Sequence, residues 1–207
     1  MAVRRHLIFI NYRGSDQNWA TELVYARMTE AFGVDAVFKA GNAIRVGEAF
    51  PPVLRRQAAA SPVMLACIGP GWLSAGPPGG GRSLDSPDDW VRREIAISLA
   101  AGNHVVPLLI GNHDEVGVPA ADSLPEDIRP LVYHQAWRLA PGAGLDVTVP
   151  MLVDRLAELV PELGERRAGV GTGAAADPGA GSAPRPRAAE PAPLSRALDD
   201  VDHYGDW

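Results

Sequence analysis

The chain has 207 residues, which is enough for one α/β domain of roughly 150 residues and leaves a remainder too short for a second. Its net charge of −6, without a basic stripe, argues against nucleic acid as a partner. The single cysteine, Cys67, excludes a disulfide framework and fits a reducing cytoplasm, and no segment approaches the roughly 20 apolar residues that span a bilayer.

Strand-like and helix-like segments alternate from about residue 4 to Leu163. The predicted strands cover His6 to Tyr12, Ala36 to Lys39, Pro62 to Ile68, His104 to Ile110 and Tyr133 to Leu139. The first, third and fourth are nearly continuous apolar runs, which are typical of parallel strands covered on both faces. With right-handed crossovers, this alternation predicts an α/β, flavodoxin-like, three-layer fold whose five-stranded parallel sheet has the order 2-1-3-4-5.

The helix before the fourth strand has the clearest end signals. Ser86 is predicted to be its N-cap, and Asp89 completes an approximate capping box. Apolar residues recur every four positions and predict one buried stripe of Val91, Ile95 and Leu99.

Residues 1–163 are predicted to form the domain, and residues 164–207 a disordered tail. The tail is rich in Gly, Ala, Pro and Arg, so it buries too little apolar surface to offset the entropy of ordering. Its acidic C-terminal end, Leu194 to Trp207, reads either as a short docking peptide or as a solvated end, and base rates favour the solvated end.

Ligands of such sheets bind beyond the carboxyl ends of the strands, near the switch point between the first and third strands. The segments after Tyr12, Lys39 and Ile68 are therefore the candidate site. No glycine fingerprint follows the first strand, and no Gly-Lys-Ser/Thr occurs, which disfavours dinucleotide-dependent hydride transfer and P-loop chemistry. The third strand ends without the aspartate that a phosphoacceptor domain needs, and the five histidines lack metal-ligand spacing.

Three segments carry a family resemblance. They are Phe9-Ile10-Asn11-Tyr12-Arg13, Asn42-Ala43-Ile44-Arg45-Val46-Gly47-Glu48-Ala49-Phe50 and Asp89-Trp90-Val91-Arg92-Arg93-Glu94-Ile95. In order, they resemble the opening box of the TIR (Toll/interleukin-1 receptor) family, the loop after its second strand, and the Trp-x-x-x-Glu segment of its NAD-cleaving members. The bacterial members usually have Ser where this chain has Asn11, and Asp is common where it has Lys39-Ala40.

The resemblance implies an NAD+ glycohydrolase that cleaves the nicotinamide-ribose bond, releasing nicotinamide and ADP-ribose or a cyclic ADP-ribose. It implies that Glu94 is the catalytic residue, that NAD+ is the substrate, and that no cofactor or metal is needed. The implied substrate-binding residues are Tyr12, Arg13, Arg45, Phe50 and Trp90.

The chemistry explains why a carboxylate would serve. Nicotinamide leaves NAD+ as a neutral molecule, so no strong general acid is required, and a negative group beside the ribose stabilises the positive charge that develops there. The competing interpretation is that Glu94 is a solvated helix residue paired with Arg92 or Arg93. Trp90 could likewise be an edge-of-core aromatic.

Three functions stay open on the sequence. The first is the glycohydrolase, which the resemblance connects with bacterial immunity against phage and with self-association, with a separate sensor as a possible partner. The second is a non-catalytic TIR adaptor for protein–protein interaction. The third is another enzyme acting on N-glycosidic bonds, such as a nucleoside deoxyribosyltransferase.

Overall fold

The computed structural model describes residues 6–16, 18–39, 50–139, 142 and 144–173. Its strands are β1 (Ile8–Asn11), β2 (Val37–Lys39), β3 (Val63–Ile68), β4 (His104–Ile110) and β5 (Trp137–Leu139). Its helices are α1 (Asn18–Phe32), α2 (Phe50–Ala60), α3 (Trp90–Ala100), α4 (Leu145–Leu159) and α5 (Pro161–Gly173). Short 3-10 turns cover Val34–Ala36, Ser83–Asp85, Ala121–Ser123 and Arg129–Tyr133.

The sheet is parallel throughout and has the order β2-β1-β3-β4-β5, which confirms the flavodoxin-like prediction. Phe9 in the central strand β1 is in register with Phe38 of β2 and with Met64 of β3. Because the strands are parallel, the ends of β1 and β2 at Asn11 and Lys39 lie at one edge of the sheet. This edge is where the fold binds ligands.

Alternation along β1 divides the core into two halves. Ile8 and Ile10 pack in one apolar cluster with α1, α4 and α5, whereas Phe9 packs in the other with α2 and α3. Cys67 of β3 belongs to the α1 side, where only 3% of it is exposed, and burial raises the pKa of its thiol to about 12. Residues at odd positions of β1 therefore face α3.

Two element boundaries differ from the sequence-based predictions. The fifth strand begins at Trp137 and not at Tyr133. Tyr133 is the last residue of the 3-10 turn Arg129–Tyr133, and the His134 N–H donates to the Leu131 carbonyl of that turn, so this part of the backbone is not in a strand ladder. The N-cap of α3 is Asp89 and not Ser86, because residues Ser83–Asp85 already form a 3-10 turn. The buried stripe of α3 is confirmed for Val91 and Ile95.

The predicted domain boundary at Leu163 falls inside α5, which continues to Gly173. Leu163 is fully buried, and Arg166 Nη1 donates a hydrogen bond to the Phe32 carbonyl at 3.3 Å, so helix formation here completes the α1 side of the core. The rest of the predicted tail, including its acidic end, lies outside the described residues. In the part of the chain that is described, no helix has both the length and the apolar character needed to cross a membrane.

Candidate active site

The last residue of β1, Asn11, connects the sheet directly to Glu94. Asn11 is at an odd position of the strand, so its side chain faces α3. Its Nδ2 donates hydrogen bonds to the Val91 carbonyl at 3.2 Å and to Glu94 Oε2 at 2.7 Å. Asn11 is fully buried and Glu94 is only 6% exposed. The carboxyl group of Glu94 is therefore held inside the ligand-binding edge and does not extend into solvent.

Burial dominates the electrostatics of Glu94. It raises the pKa of this carboxyl to about 8, because the charged form loses its hydration. The hydrogen bond from Asn11 acts in the opposite direction and lowers the pKa, while the negative charge of Asp89 raises it. A group with this balance exchanges its proton near neutral pH, as is typical of functional carboxyls.

Arg13 and Asp89 join the exit of β1 to the start of α3. Arg13 Nη1 and Nη2 donate to the two carboxylate oxygens of Asp89 at 3.0 and 2.9 Å, and the two side chains are only 7% and 8% exposed. Asp89 Oδ2 also accepts from the Arg92 backbone N–H at 3.0 Å, which caps the helix. One aspartate thus fixes both the loop after β1 and the first turn of the helix that carries Glu94.

Tyr12 lies between Asn11 and Arg13 in sequence but packs on the α1 side of the sheet. The ammonium group of Lys39, which is 3% exposed, lies 5.4 Å from the centre of the Tyr12 ring and pairs with Glu22. Burial raises the pKa of Tyr12, as do the charges of Glu22 and then Glu94. The phenol is therefore within electrostatic range of the Glu94 carboxyl.

Trp90 lies one helical turn before Glu94 and lines a cleft of about 1020 Å³. It is half-buried, and the guanidinium carbon of Arg93 lies 5.4 Å from its ring centre, at cation–π distance. Arg13, Gly76, Pro77, Pro78 and Gly81 also line this cleft. Glu94 is not among the described residues that line it.

Comparison with known families decides the classification. The family model for the TIR domain matches residues 8–141, which is more than half of the chain. The chain belongs to the TIR family. A search of curated proteins returns no match. TIR domains commonly self-associate, and the family includes enzymes that cleave NAD+.

Of the six site residues expected from the TIR resemblance, four lie at the exit of β1 or on the first turns of α3, but not in one cleft. Arg13 and Trp90 line the cleft, Glu94 is buried against Asn11, and Tyr12 packs on the α1 side of the sheet. Arg45 lies outside the described residues. Phe50 begins α2, but its side chain also lies outside what the structure describes. Among the described residues, no three His, Cys, Asp or Glu side chains are grouped as metal ligands would be.

The interpretation of Glu94 as a solvated partner of Arg92 or Arg93 is wrong. Arg92 pairs with Asp127 and Arg93 with Asp88, whereas Glu94 is buried against Asn11. The reason is that α3 packs its Glu94 side against the end of β1.

Three further residues lie at the ends of β1 and β2 or at the start of α3, and the sequence analysis noted them only as differences from the TIR pattern or as a helix-end signal. They are Asn11, Lys39 and Asp89. The period-two alternation of β1 could have placed Asn11 facing α3, because Phe9 and Asn11 share a face. No comparable signal shows that Asp89 pairs with Arg13, since that contact joins residues 76 positions apart.

Proposed function

We propose that this TIR domain is an NAD+ glycohydrolase in which Glu94 is the catalytic residue. The observation that supports it best is the burial of the Glu94 carboxyl at the carboxyl end of β1, bonded to Asn11. A glutamate is rarely buried without an opposite charge beside it, and its burial costs stability. Local features that cost stability concentrate at functional sites, and the family includes NAD-cleaving enzymes.

The proposed reaction breaks the bond between ribose C1′ and the nicotinamide nitrogen. The bonding electrons move onto that nitrogen, so nicotinamide leaves neutral and the ribose carries the positive charge. The ionised Glu94 carboxylate hydrogen-bonds the ribose hydroxyls and stabilises this charge. Water then adds at C1′ and loses a proton, which gives ADP-ribose; addition of an adenine nitrogen gives a cyclic product instead.

Incubation of the purified full chain with NAD+, followed by chromatography of nicotinamide, ADP-ribose and its cyclic form, tests the proposal. We expect Glu94→Gln to lower turnover by about 100- to 1000-fold, which is the usual cost of removing one preorganised charge-stabilising group. Glu30→Gln is the matched control, because Glu30 is an exposed glutamate paired with Arg27 on α1. It should retain full turnover.

The same assay distinguishes the competing functions. Protein concentration is varied upward, because TIR domains commonly self-associate and assembly can be required for activity. Intact NAD+ at every concentration would favour the adaptor, and release of free base from a nucleoside would favour a deoxyribosyltransferase. The suggested role in immunity against phage predicts that phage form fewer plaques on bacteria that carry the wild-type chain than on bacteria that carry Glu94→Gln.

A further inference from the structure

Asn11 makes two hydrogen bonds that a serine at this position could not donate together, because a hydroxyl carries one hydrogen and an amide nitrogen carries two. Its amide nitrogen bridges the Val91 carbonyl and Glu94 Oε2, at 3.2 and 2.7 Å. The Val91 carbonyl belongs to the first turn of α3 and so has a fixed position. The amide therefore connects a rigid helix atom with the functional end of the Glu94 side chain.

The orientation of the Asn11 amide is also determined by its surroundings. Rotation by half a turn would place Oδ1 against two acceptors, the Val91 carbonyl and the Glu94 carboxyl. In the observed orientation Oδ1 is buried and has no hydrogen-bond partner among the described residues. Leaving a buried acceptor without a partner costs stability. The observed orientation has this cost, but it lets the amide nitrogen donate to Glu94.

We propose that Asn11 is a positioning residue for Glu94, which fixes the carboxyl group at the end of β1 and favours its negatively charged form. The effect of Asn11 on catalysis rests on the proposed function, whereas its effect on the ionisation of Glu94 can be measured without NAD+ turnover. An N–H donor stabilises a carboxylate more than a neutral carboxyl. Asn11 thus offsets part of the burial that opposes the charged state of Glu94.

Other groups act on Glu94 from the elements packed around it. Asp89, at the start of α3, opposes its ionisation, and the Asp89 charge is itself paired with Arg13. Tyr12 lies within electrostatic range on the other side of β1. None of these side chains replaces the direct donor, because only Asn11 has a hydrogen bond to the Glu94 carboxyl among the described contacts.

The test is a titration of the full-length protein labelled with carbon-13 at glutamate carboxyls. Glu94→Gln identifies the Glu94 signal. Asn11→Leu replaces the amide by an apolar side chain of similar shape, so it removes the donor and the unpartnered acceptor together. We expect the Glu94 signal in this variant to titrate about one pH unit higher than in the wild type.

Asn103→Leu is the matched control. Asn103 also donates from its amide, to the Ala58 carbonyl and to Ser98 Oγ, but it has no contact with Glu94. It should leave the Glu94 titration unchanged even if it lowers stability. Asn11→Ala supplies a second variant that also removes the donor, with a shift in the same direction, and it decides the question if Asn11→Leu does not fold.

An unchanged Glu94 titration in the folded Asn11 variants would overturn the inference. This readout needs no NAD+ turnover, so failure of the proposed function is seen separately as an inactive wild type. In an active wild type, the rising limb of kcat/KM should move to higher pH in Asn11→Leu and stay in place in Asn103→Leu.

Discussion

Ionisation of Glu94 opposes folding, because its pKa is raised to about 8 in the folded protein from an ordinary 4.5. Between these values the folded state holds a proton that the unfolded state has released. The free energy of unfolding therefore falls as pH rises from about 4.5 to about 8. Below this window the two states are equally protonated at Glu94, and above it they are equally ionised.

We expect Glu94→Gln to be more stable than the wild type at pH 9, because the glutamine has no charge to bury. The difference should become much smaller at pH 4, where Glu94 is largely protonated in both states. Urea denaturation at the two pH values measures it. The exposed control Glu30→Gln should show no such pH dependence, and an equal effect of Glu94→Gln at both pH values would contradict the buried titration.

The proposed reaction uses the ionised carboxylate of Glu94, so the rate of NAD+ cleavage should rise with pH through about 8. The rising limb of kcat/KM reports the free enzyme, and that of kcat reports the complex. The positive pyridinium of bound NAD+ stabilises the carboxylate, so the kcat limb should lie at lower pH. Steady-state rates between pH 6 and 9.5 test this, and a falling profile over that range would exclude the carboxylate mechanism.

The order of three segments in the sequence indicated Glu94 as a candidate catalytic residue, which stays a prediction, but no sequence pattern predicted its burial. Helix periodicity predicted the buried stripe of Val91 and Ile95, but it does not indicate how deeply the neighbouring Glu94 side chain is buried. That depends on how closely α3 approaches the end of β1. Arg13 was expected to bind the substrate, and its two terminal nitrogens bond Asp89, so its contact with substrate stays a prediction.

Helix α3 depends on Asp89 for its beginning and for its attachment to β1. We expect Asp89→Ala to lower the free energy of unfolding by about 3 to 5 kcal/mol, because it leaves Arg13 buried and without its partner. Loss of the cap adds about 1 kcal/mol. Asp89→Asn should cost less, since asparagine also caps helices well. Chemical denaturation measures both variants.

Asp88→Ala is the neighbouring control, because Asp88 is mostly exposed and pairs with Arg93 near the surface. Exposed ion pairs contribute little to stability. If Asp88→Ala destabilised the protein as much as Asp89→Ala, the buried pair would not be what holds α3 to the loop.

The strands of the sheet were largely predictable, since buried parallel strands are continuous apolar runs. The ends of elements were not. Ser86 and Asp89 are both good capping residues three positions apart, and the choice between them depends on the turn before them and on the distant Arg13. At the fifth strand, the 3-10 turn at Arg129–Tyr133 replaces the predicted start at Tyr133.

Helix α5 continues to Gly173, although the composition after Leu163 predicted disorder, and we expect it to stabilise the domain. We expect a chain that ends at Gly173 to unfold at the same urea concentration as the full chain. A chain that ends at Val160 loses the fully buried Leu163 and the Arg166 contact with α1. Its free energy of unfolding should fall by at least about 2 kcal/mol, the usual value of one buried leucine. Equal stability of the two truncations would show that α5 does not stabilise the domain.

The single thiol of the protein, at Cys67, is enclosed between the sheet and α1. Alkylating reagents attack thiolates. The Cys67 thiol is buried and burial raises its pKa, so we expect labelling only after the sheet opens locally. Its labelling rate therefore reports the opening equilibrium without an engineered probe. A ligand that binds the closed sheet edge would slow labelling in proportion to its occupancy, which gives a binding assay for NAD+ that is independent of its cleavage.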